Sequence, residues 1–337
     1  MAAKKSDRVR WGIISTANIG VAKVIPGMLK SKEMEIRAIA SRSLPTAKKA
    51  AKKLGIPVAY GSYEELLDDP EIEAIYNPLP NHLHVPLTLA AANKGKHVLC
   101  EKPIGLSAEE TETLRTVPKG ILIAEAFMVR AHPQWIKARE IVRSGKLGEL
   151  RAIQAFFSYF NVDPDNVRNM ADIGGGALYD IGCYPIVVSR YIFGAEPERV
   201  VSLIDRDATF GTDRTTSGLL DFGAGRQVSF TVSMQSVPFQ RVNVFGTKAR
   251  LEIVIPFNAP QGGAMTIWQD SGKELGGVSA KAIKLPKADQ YQLQGEIFSR
   301  AVRGTAKLPY GPDDAVLQMR VIDALFRSEK SRGWEKP

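Results

Sequence analysis

"VRWGIISTANIG", Val9 to Gly20, decides the fold. Val9 to Ser15 reads as a β-strand, and a helix reads from about Ile19 to Lys30. A strand, a tight turn and a helix N-terminus form the arrangement that faces a dinucleotide pyrophosphate. The usual fingerprint of that turn is G-x-G-x-x-G. Here Ser15-Thr16-Ala17-Asn18-Ile19-Gly20 stands in its place, and only the last glycine is kept. Ser15 and Ala17 are the smallest replacements, so a phosphate can still come close to the backbone. The hydroxyls of Ser15 and Thr16 add donors. As a bare pattern the run also fits an ordinary strand–helix turn; its place after the first strand is what points to a cofactor.

Outward from this turn, strands and helices alternate. "EIRAIAS" (35–41), "VAYGS" (58–62), "EAIYNPLP" (73–80), "KHVLCEKP" (96–103) and "GILIAEAF" (120–127) read as strands. Between them lie helical stretches. One starts at Pro45 and ends at Leu54-Gly55, with proline first and glycine last. Another has Ser107 as N-cap and Glu110 as its capping-box partner. This alternation predicts a doubly wound parallel sheet over residues 1–125. From 126 to 337 the pattern changes. An amphipathic helix (132–148) precedes a half-buried strand (150–160) and a glycine-rich turn into a helix (174–194). Strands follow at 199–206, 216–222, 226–234, 241–246 and 249–255, the last two as a hairpin around Gly246-Thr247-Lys248. Two helices close the chain, with packing back on the first domain as an alternative to the second. The expectation is a second α/β domain with a mainly antiparallel sheet, one face of which is available for association into a homodimer or homotetramer.

The bulk numbers narrow the class. The 337 residues are 44% hydrophobic and 24% charged, as in a soluble globular protein of two domains. No apolar run approaches the roughly 20 residues of a spanning helix, and the basic start "MAAKKSDRVRW" leads into no apolar signal region. Two cysteines, Cys100 and Cys183, fit a cytoplasmic protein with reduced thiols. His84, His97 and His132 lack metal-ligand spacing, so no metal is expected. Residues 1–60 hold 13 Lys and Arg against 3 acids. That excess suits an anionic cofactor or nucleic acid, although "TAKKAAKKLG" also reads as a solvated helix face. No nucleic-acid-binding motif accompanies it.

Ligands of an open α/β sheet bind beyond the carboxyl ends of its strands. At the second strand end stand Ser41, Arg42 and Ser43. No carboxylate is present for a ribose 2′-hydroxyl, and a guanidinium with two hydroxyls can grip a 2′-phosphate; the reading is NADP rather than NAD. Pro78, Leu79, Asn81 and His82 stand at the end of the fourth strand as cofactor contacts. Glu101 and Lys102 stand at the end of the fifth, with Pro103 expected to be cis. Lys102 suits proton management beside a hydride acceptor, since burial and a cationic nicotinamide both disfavour its ammonium form. Glu101 can orient it.

"EKPIGLS" after a strand, "NPLPNHLH" before it, "EAFMVRAHPQW", "GGGALYDIGCYPI" and "VFGTKARLEI" together resemble the glucose–fructose oxidoreductase/inositol dehydrogenase (Gfo/Idh/MocA) family over nearly the whole chain. The resemblance implies a Rossmann domain, a second domain with a large open sheet that is commonly the oligomer interface, and NAD(P)-linked oxidation or reduction of sugars and polyols. It implies that Lys102 is the catalytic lysine and that the helix after Gly176 carries the remaining polar groups. Where the inositol branch has histidine, this chain has Tyr184. That is similar to the branch of the NADP-linked xylose dehydrogenases, dimeric dihydrodiol dehydrogenases and glucose–fructose oxidoreductase, in which the tyrosine moves the proton. Val129 stands where family members often have tyrosine.

The residues agree with this. Asp180 and Tyr184 are four apart, hence on one helix face, although Pro185 signals a distorted helix. A phenol near an ammonium becomes a better base. The catalytic set is therefore Lys102, Asp180 and Tyr184, and Tyr159, Phe160 and Arg168 complete the substrate contacts. The predicted activity is hydride transfer between NADP and a sugar or polyhydroxylated ring. Rival readings are dihydrodiol oxidation, anhydrosugar-ketone reduction and glucose–fructose exchange, and, in a different class, a non-catalytic NADP- or sugar-sensing regulator.

Overall fold

The computed structural model describes residues 8–337; the basic segment 1–7 lies outside the described residues. The first part of the chain runs β1 (Val9–Ile14), a π-helical turn (Gly20–Val24) leading into α1 (Ile25–Met28), β2 (Met34–Ala40), α2 (Leu44–Leu54), β3 (Val58–Tyr60), α3 (Tyr63–Asp68), β4 (Ala74–Asn77), α4 (His84–Asn93), β5 (His97–Cys100), α5 (Ala108–Glu112) and β6 (Ile123–Glu125). The second part runs α6 (Pro133–Arg143), β7 (Leu150–Phe160), a π-helical turn (Leu178–Gly182) leading into α7 (Cys183–Phe193), β8 (Arg199–Arg206), β9 (Asp213–Asp221), β10 (Gln227–Ser233), β11 (Gln235–Gly246), β12 (Arg250–Ile253), β13 (Thr266–Asp270) and β14 (Lys281–Lys284). Helices α8 (Gln290–Val302) and α9 (Pro312–Ser331) follow. Two compact units result: Met1–Met128 with Gln290–Val316, and Val129–Asp289 with Leu317–Pro337.

Among the described residues of the first unit, six strands form a parallel sheet in the order β3-β2-β1-β4-β5-β6. This is the order of a dinucleotide-binding fold, with β1 and β4 central. Trp11, Ile13 and Ile14 of β1 are wholly buried, as a central parallel strand covered on both faces requires. Trp11 donates its indole N–H to Ser299 Oγ on α8 (3.2 Å) and lies against Phe298, so α8 completes the core of this unit. Helix α2 buries Ala47, Ala50 and Ala51 and exposes Lys48, Lys49, Lys52 and Lys53, the solvated-face reading of that run. Gly55 ends it in the left-handed region. Ser107 Oγ accepts the Glu110 amide (3.0 Å) as expected, but Glu110 returns its bond to the Leu106 amide (2.6 Å) rather than to Ser107.

In the second unit eight strands form one sheet in the order β14-β13-β12-β11-β7-β10-β9-β8. It is antiparallel except for the β7–β10 pair. The hairpin at Gly246 is present, with Phe245 opposite Arg250. The sequence reading missed β13 and β14 and started β11 six residues late, at Arg241. Pro238, of a type uncommon inside strands, lies in the missed stretch; the register of β11 against β7 is irregular between Gln235 and Phe239, and this irregularity takes the proline in. The reading also carried the fourth and fifth strands of the first unit too far. β4 stops at Asn77 and β5 at Cys100, so the NPLP and EKP segments are strand-end loops. Among the described residues no helix is long and apolar enough to cross a membrane.

Candidate active site

The turn after β1 keeps its conformation without its glycine. Ser15 has φ +100°, a region that side chains seldom enter and glycine enters freely. Its hydroxyl oxygen accepts the Ala17 amide at 3.1 Å, and Ala17 O accepts the Val21 amide as the helix begins. Thr16, Asn18 and Ile19 complete this turn. Ser41, Arg42 and Ser43 stand beyond β2 at the same sheet edge. Ser43 is the N-cap of α2 without a side-chain cap bond. Burial raises the Tyr63 phenol above its ordinary value, and the adjacent Arg42 guanidinium pulls it back. This small-residue turn and basic strand end fit an anionic dinucleotide: amides and hydroxyls at the first, a cation at the second.

The loops after β4 and β5 are tied together. His84 is 1% exposed. Its Nδ1 lies 2.7 Å from Pro103 O and its Nε2 2.6 Å from Leu79 O, so one imidazole spans the NPLP and EKP segments. Asn77 Nδ2 adds a 3.1 Å bond to His84 O. The Lys102–Pro103 peptide is cis. Tyr76, wholly buried on β4, donates its hydroxyl to Glu101 Oε1 at 2.7 Å. Burial first, then the Glu101 charge, raise this phenol well above its ordinary value and keep it a donor. Pro78, Leu79, Asn81 and His82 thus share an edge with Glu101 and Lys102. The sequence reading missed Tyr76 and gave His84 no role; a period-2 strand pattern carries no sign of what a tyrosine's hydroxyl meets across the strand gap.

The second unit gathers Tyr159, Arg168 and Asp180. Asp180 Oδ2 accepts the Tyr159 hydroxyl at 2.6 Å and lies 2.9 Å from Arg168 Nε. Burial, then the Asp180 charge, push the Tyr159 phenol far up, and the Asp180 charge raises Arg168. The cluster therefore holds a neutral phenol donor and a closed ion pair. Asp180 sits in the π-helical turn rather than in regular α-helix, which corrects the expected geometry. Pro185 has no N–H to give the preceding turn, and a widened turn is a usual response. Tyr184 follows at the start of α7. It is 5% exposed, and its ring lies 5.3 Å from Phe257 and 6.0 Å from Phe157. Phe160 is 63% exposed and stands apart from this packing. Lys102 belongs to the first unit; Asp180 and Tyr184 belong to the second.

The tyrosine helix is anchored at both ends of its first turns. Asp213 Oδ2 accepts the Leu178 amide at 2.7 Å. Gln318 donates to Cys183 O at 2.8 Å and accepts from Arg190, which Glu196 pairs through two further bonds. Neither anchor was legible in sequence, because each partner lies far along the chain.

Residues 9–119 match the family model described as an oxidoreductase family with an NAD-binding Rossmann fold, and residues 135–252 match the GFO/IDH/MocA C-terminal domain. An uncharacterised oxidoreductase of Rhizobium meliloti is 48% identical over 98% of this chain and 99% of its own length. An NADP-linked D-xylose 1-dehydrogenase of Haloferax volcanii is 36% identical over 95% and 97%. The crystal structure of a 3-ketoreductase from Actinomadura kijaniata, with NADP and TDP-benzene, superposes with a TM-score of 0.88 at 28% identity, over 95% and 98%. Two matched domains and a dinucleotide fold define an NAD(P)-dependent oxidoreductase. The chain belongs to the Gfo/Idh/MocA family.

His84 yields a pH prediction. Burial lowers its imidazole from 6.5 to about 4, against the pull of its two backbone acceptors. The unfolded chain then binds the extra proton between those values, so stability is full above 6.5 and falls as pH drops toward 4. Acidification from about pH 7.5 to 5 should remove roughly 2 kcal/mol through this group. In urea unfolding at the two pH values, His84→Gln should show a correspondingly smaller acid loss than the unaltered chain.

Proposed function

We propose that this protein is an NADP-dependent dehydrogenase of a sugar or polyhydroxylated ring, similar in activity to xylose dehydrogenase. The observation that carries the reading is the Asp180 cluster on the helix of Tyr184. A carboxylate already neutralised by Arg168 can still accept from a substrate hydroxyl, and it offers an uncharged polyol no net repulsion. The first unit is the cofactor domain, and the second binds substrate. When bound, the nicotinamide supplies or accepts the hydride. Ser15 to Ile19 and Ser41 to Ser43 hold the dinucleotide, with Arg42 toward the 2′-phosphate; Pro78, Leu79, Asn81, His82 and Glu101 border it. Tyr184 moves the hydroxyl proton, Lys102 serves as the catalytic lysine, and Asp180 with Tyr159 and Arg168 orients the substrate. Holding the reacting groups in line is one source of rate in such a site. NADP is favoured by the missing carboxylate after β2 and by the cofactor of the xylose dehydrogenase and of the ketoreductase. The ketoreductase likeness supports a second reading, reduction of a sugar ketone by the same residues. A reducing, cytoplasmic setting accords with two buried free thiols.

The outer face of the eight-stranded sheet supports self-association. Leu203 and Val237 are each 76% exposed, with Leu219 and Phe239 beside them. Between them the hydroxyls of Ser217 and Thr231 bond to each other at 2.8 Å. A face of apolar and hydroxyl side chains suits a second copy better than water.

The expected outcomes are these. Lys102→Ala and Tyr184→Phe each lower turnover by at least about 100-fold while NADP binding, read by fluorescence titration, persists; near-normal turnover in both would remove the mechanism. Arg42→Ala reduces the preference for NADP over NAD by about tenfold or more, and an unchanged ratio of kcat/KM values sinks the cofactor assignment. Leu203→Asp with Val237→Asp yields a monomer in light scattering where the unaltered chain is a dimer or tetramer; a monomeric unaltered chain ends the sheet proposal.

A further inference from the structure

The helix that carries Asp180 and Tyr184 begins without a cap of its own: Ala177 makes no side-chain cap bond. The acceptor comes from the first residue of β9. Asp213 Oδ2 takes the Leu178 amide at 2.7 Å and the Thr216 hydroxyl at 2.8 Å. Its other oxygen occupies the space of a missing side chain, for a Cβ on Gly176 would lie 1.9 Å from Oδ1. Gly176, at φ +123°, leaves that space open. Gly176 also joins the cluster through its backbone: its amide donates to Arg168 O (2.9 Å), and its carbonyl accepts the Asp180 amide (3.0 Å). One carboxylate thus touches the turn from which both Arg168 and Asp180 are hung.

Asp213 is 1% exposed and makes no ion pair among the described residues. A buried carboxylate so placed is costly, and the amides of a helix N-terminus are what offset it. An apolar residue would fill this space at less cost. We propose that Asp213 is a positioning residue of the active site, whose ionised carboxylate fixes the first turn of the Tyr184 helix and, through Gly176, the Arg168–Asp180–Tyr159 cluster. This rests on the reading of that helix as the proton-handling element.

Ionisation is the working variable. Burial raises the Asp213 carboxyl to about 6, while the Thr216 hydroxyl and the Leu178 amide pull it down. The other charged or titratable groups facing it are Arg206 on β8, itself bonded twice to Glu329 of α9, and Tyr159 on β7. Arg206 favours the charged form. On protonation the turn loses its negative anchor, so turnover should have an acid limb near pH 6.

The test uses the full chain with NADP and a turned-over polyol, following kcat and KM from about pH 5 to 8, together with NADP affinity and melting. Asp213→Asn should lower kcat per folded molecule at least about tenfold, with KM and NADP affinity little changed, and abolish the acid limb. Thr216→Val removes a bond that favours the charged form, so the limb should move to higher pH. A smaller fall in kcat for Asp213→Asn, or a limb that stays in place in both variants, overturns the proposal. If Asp213→Asn does not fold, Thr216→Val decides alone: a limb moved upward supports the anchor, and an unmoved limb overturns it. Tyr184→Phe is assayed in parallel. Its full activity would remove the proton role of Tyr184 while the Asp213 and Thr216 variants still report on the anchor.

Discussion

One imidazole stands between two strand ends, and as a neutral ring it has one N–H to give to the two carbonyls it faces. His84 reaches Leu79 O with one nitrogen and Pro103 O with the other, and both carbonyls belong to loops that leave the parallel sheet at its carboxyl edge. Loops are ordinarily the loosest parts of a fold. Here the two that carry Asn81 and Lys102 close around a residue of α4 that is itself sealed in the core. Asn77 and Tyr76 extend these contacts from β4, the first to the backbone of His84 and the second to Glu101. The strand order of the first unit brings β4 and β5 side by side; the buried polar side chains between them fix what the order alone leaves free. Such groups are tolerated in a core only when bonded.

The second unit applies the same principle with opposite materials. Tyr184 is wedged among Phe157 and Phe257, and Trp135 stacks on the latter. Aromatic packing fixes the ring. The helix that bears it is held by polar contacts, through Asp213 at its start and Gln318 at Cys183. The widened turn before Pro185 lies between these two anchors, so the irregular stretch is bounded on both sides by bonds from distant strands and helices. The Asp180 carboxylate within that stretch is in turn shared by Tyr159 and Arg168.

Much of this was open to a reader of the sequence. The strand–turn–helix at Val9 to Gly20, the alanine and lysine spacing of α2, and the Ser107 cap each declare themselves within a dozen residues, because period and capping are local chemistry. Ser15 also declared its place: a small residue at the turn was expected, and the backbone there takes the conformation a glycine would. Tyr159, Arg168, Asp180 and Tyr184 were all named in advance. What stayed hidden is the set of contacts that join distant segments. The hydroxyl of Tyr159 bonds to a carboxylate 21 positions on, Leu178 to one 35 positions on, and Gln318 to a carbonyl 135 positions back. No periodicity encodes those distances. The short strands β13 and β14 were lost for another reason. They lie among glycines and polar residues, and the register of β13 is set by β12 and that of β14 by β13 rather than by their own pattern.

The lone parallel pairing of β7 with β10 has a topological consequence. Two neighbouring strands that run the same way cannot be joined by a tight turn; the chain must travel back over the sheet, and in this unit it does so with the π-helical turn and α7. A crossover of fixed hand commits its helix to one side. The strands inserted after that return, β8 and β9, widen the sheet without bringing a helix to its far side. The bareness of that side is therefore a result of chain routing, decided where β7 ends and before a single outward-facing residue is chosen.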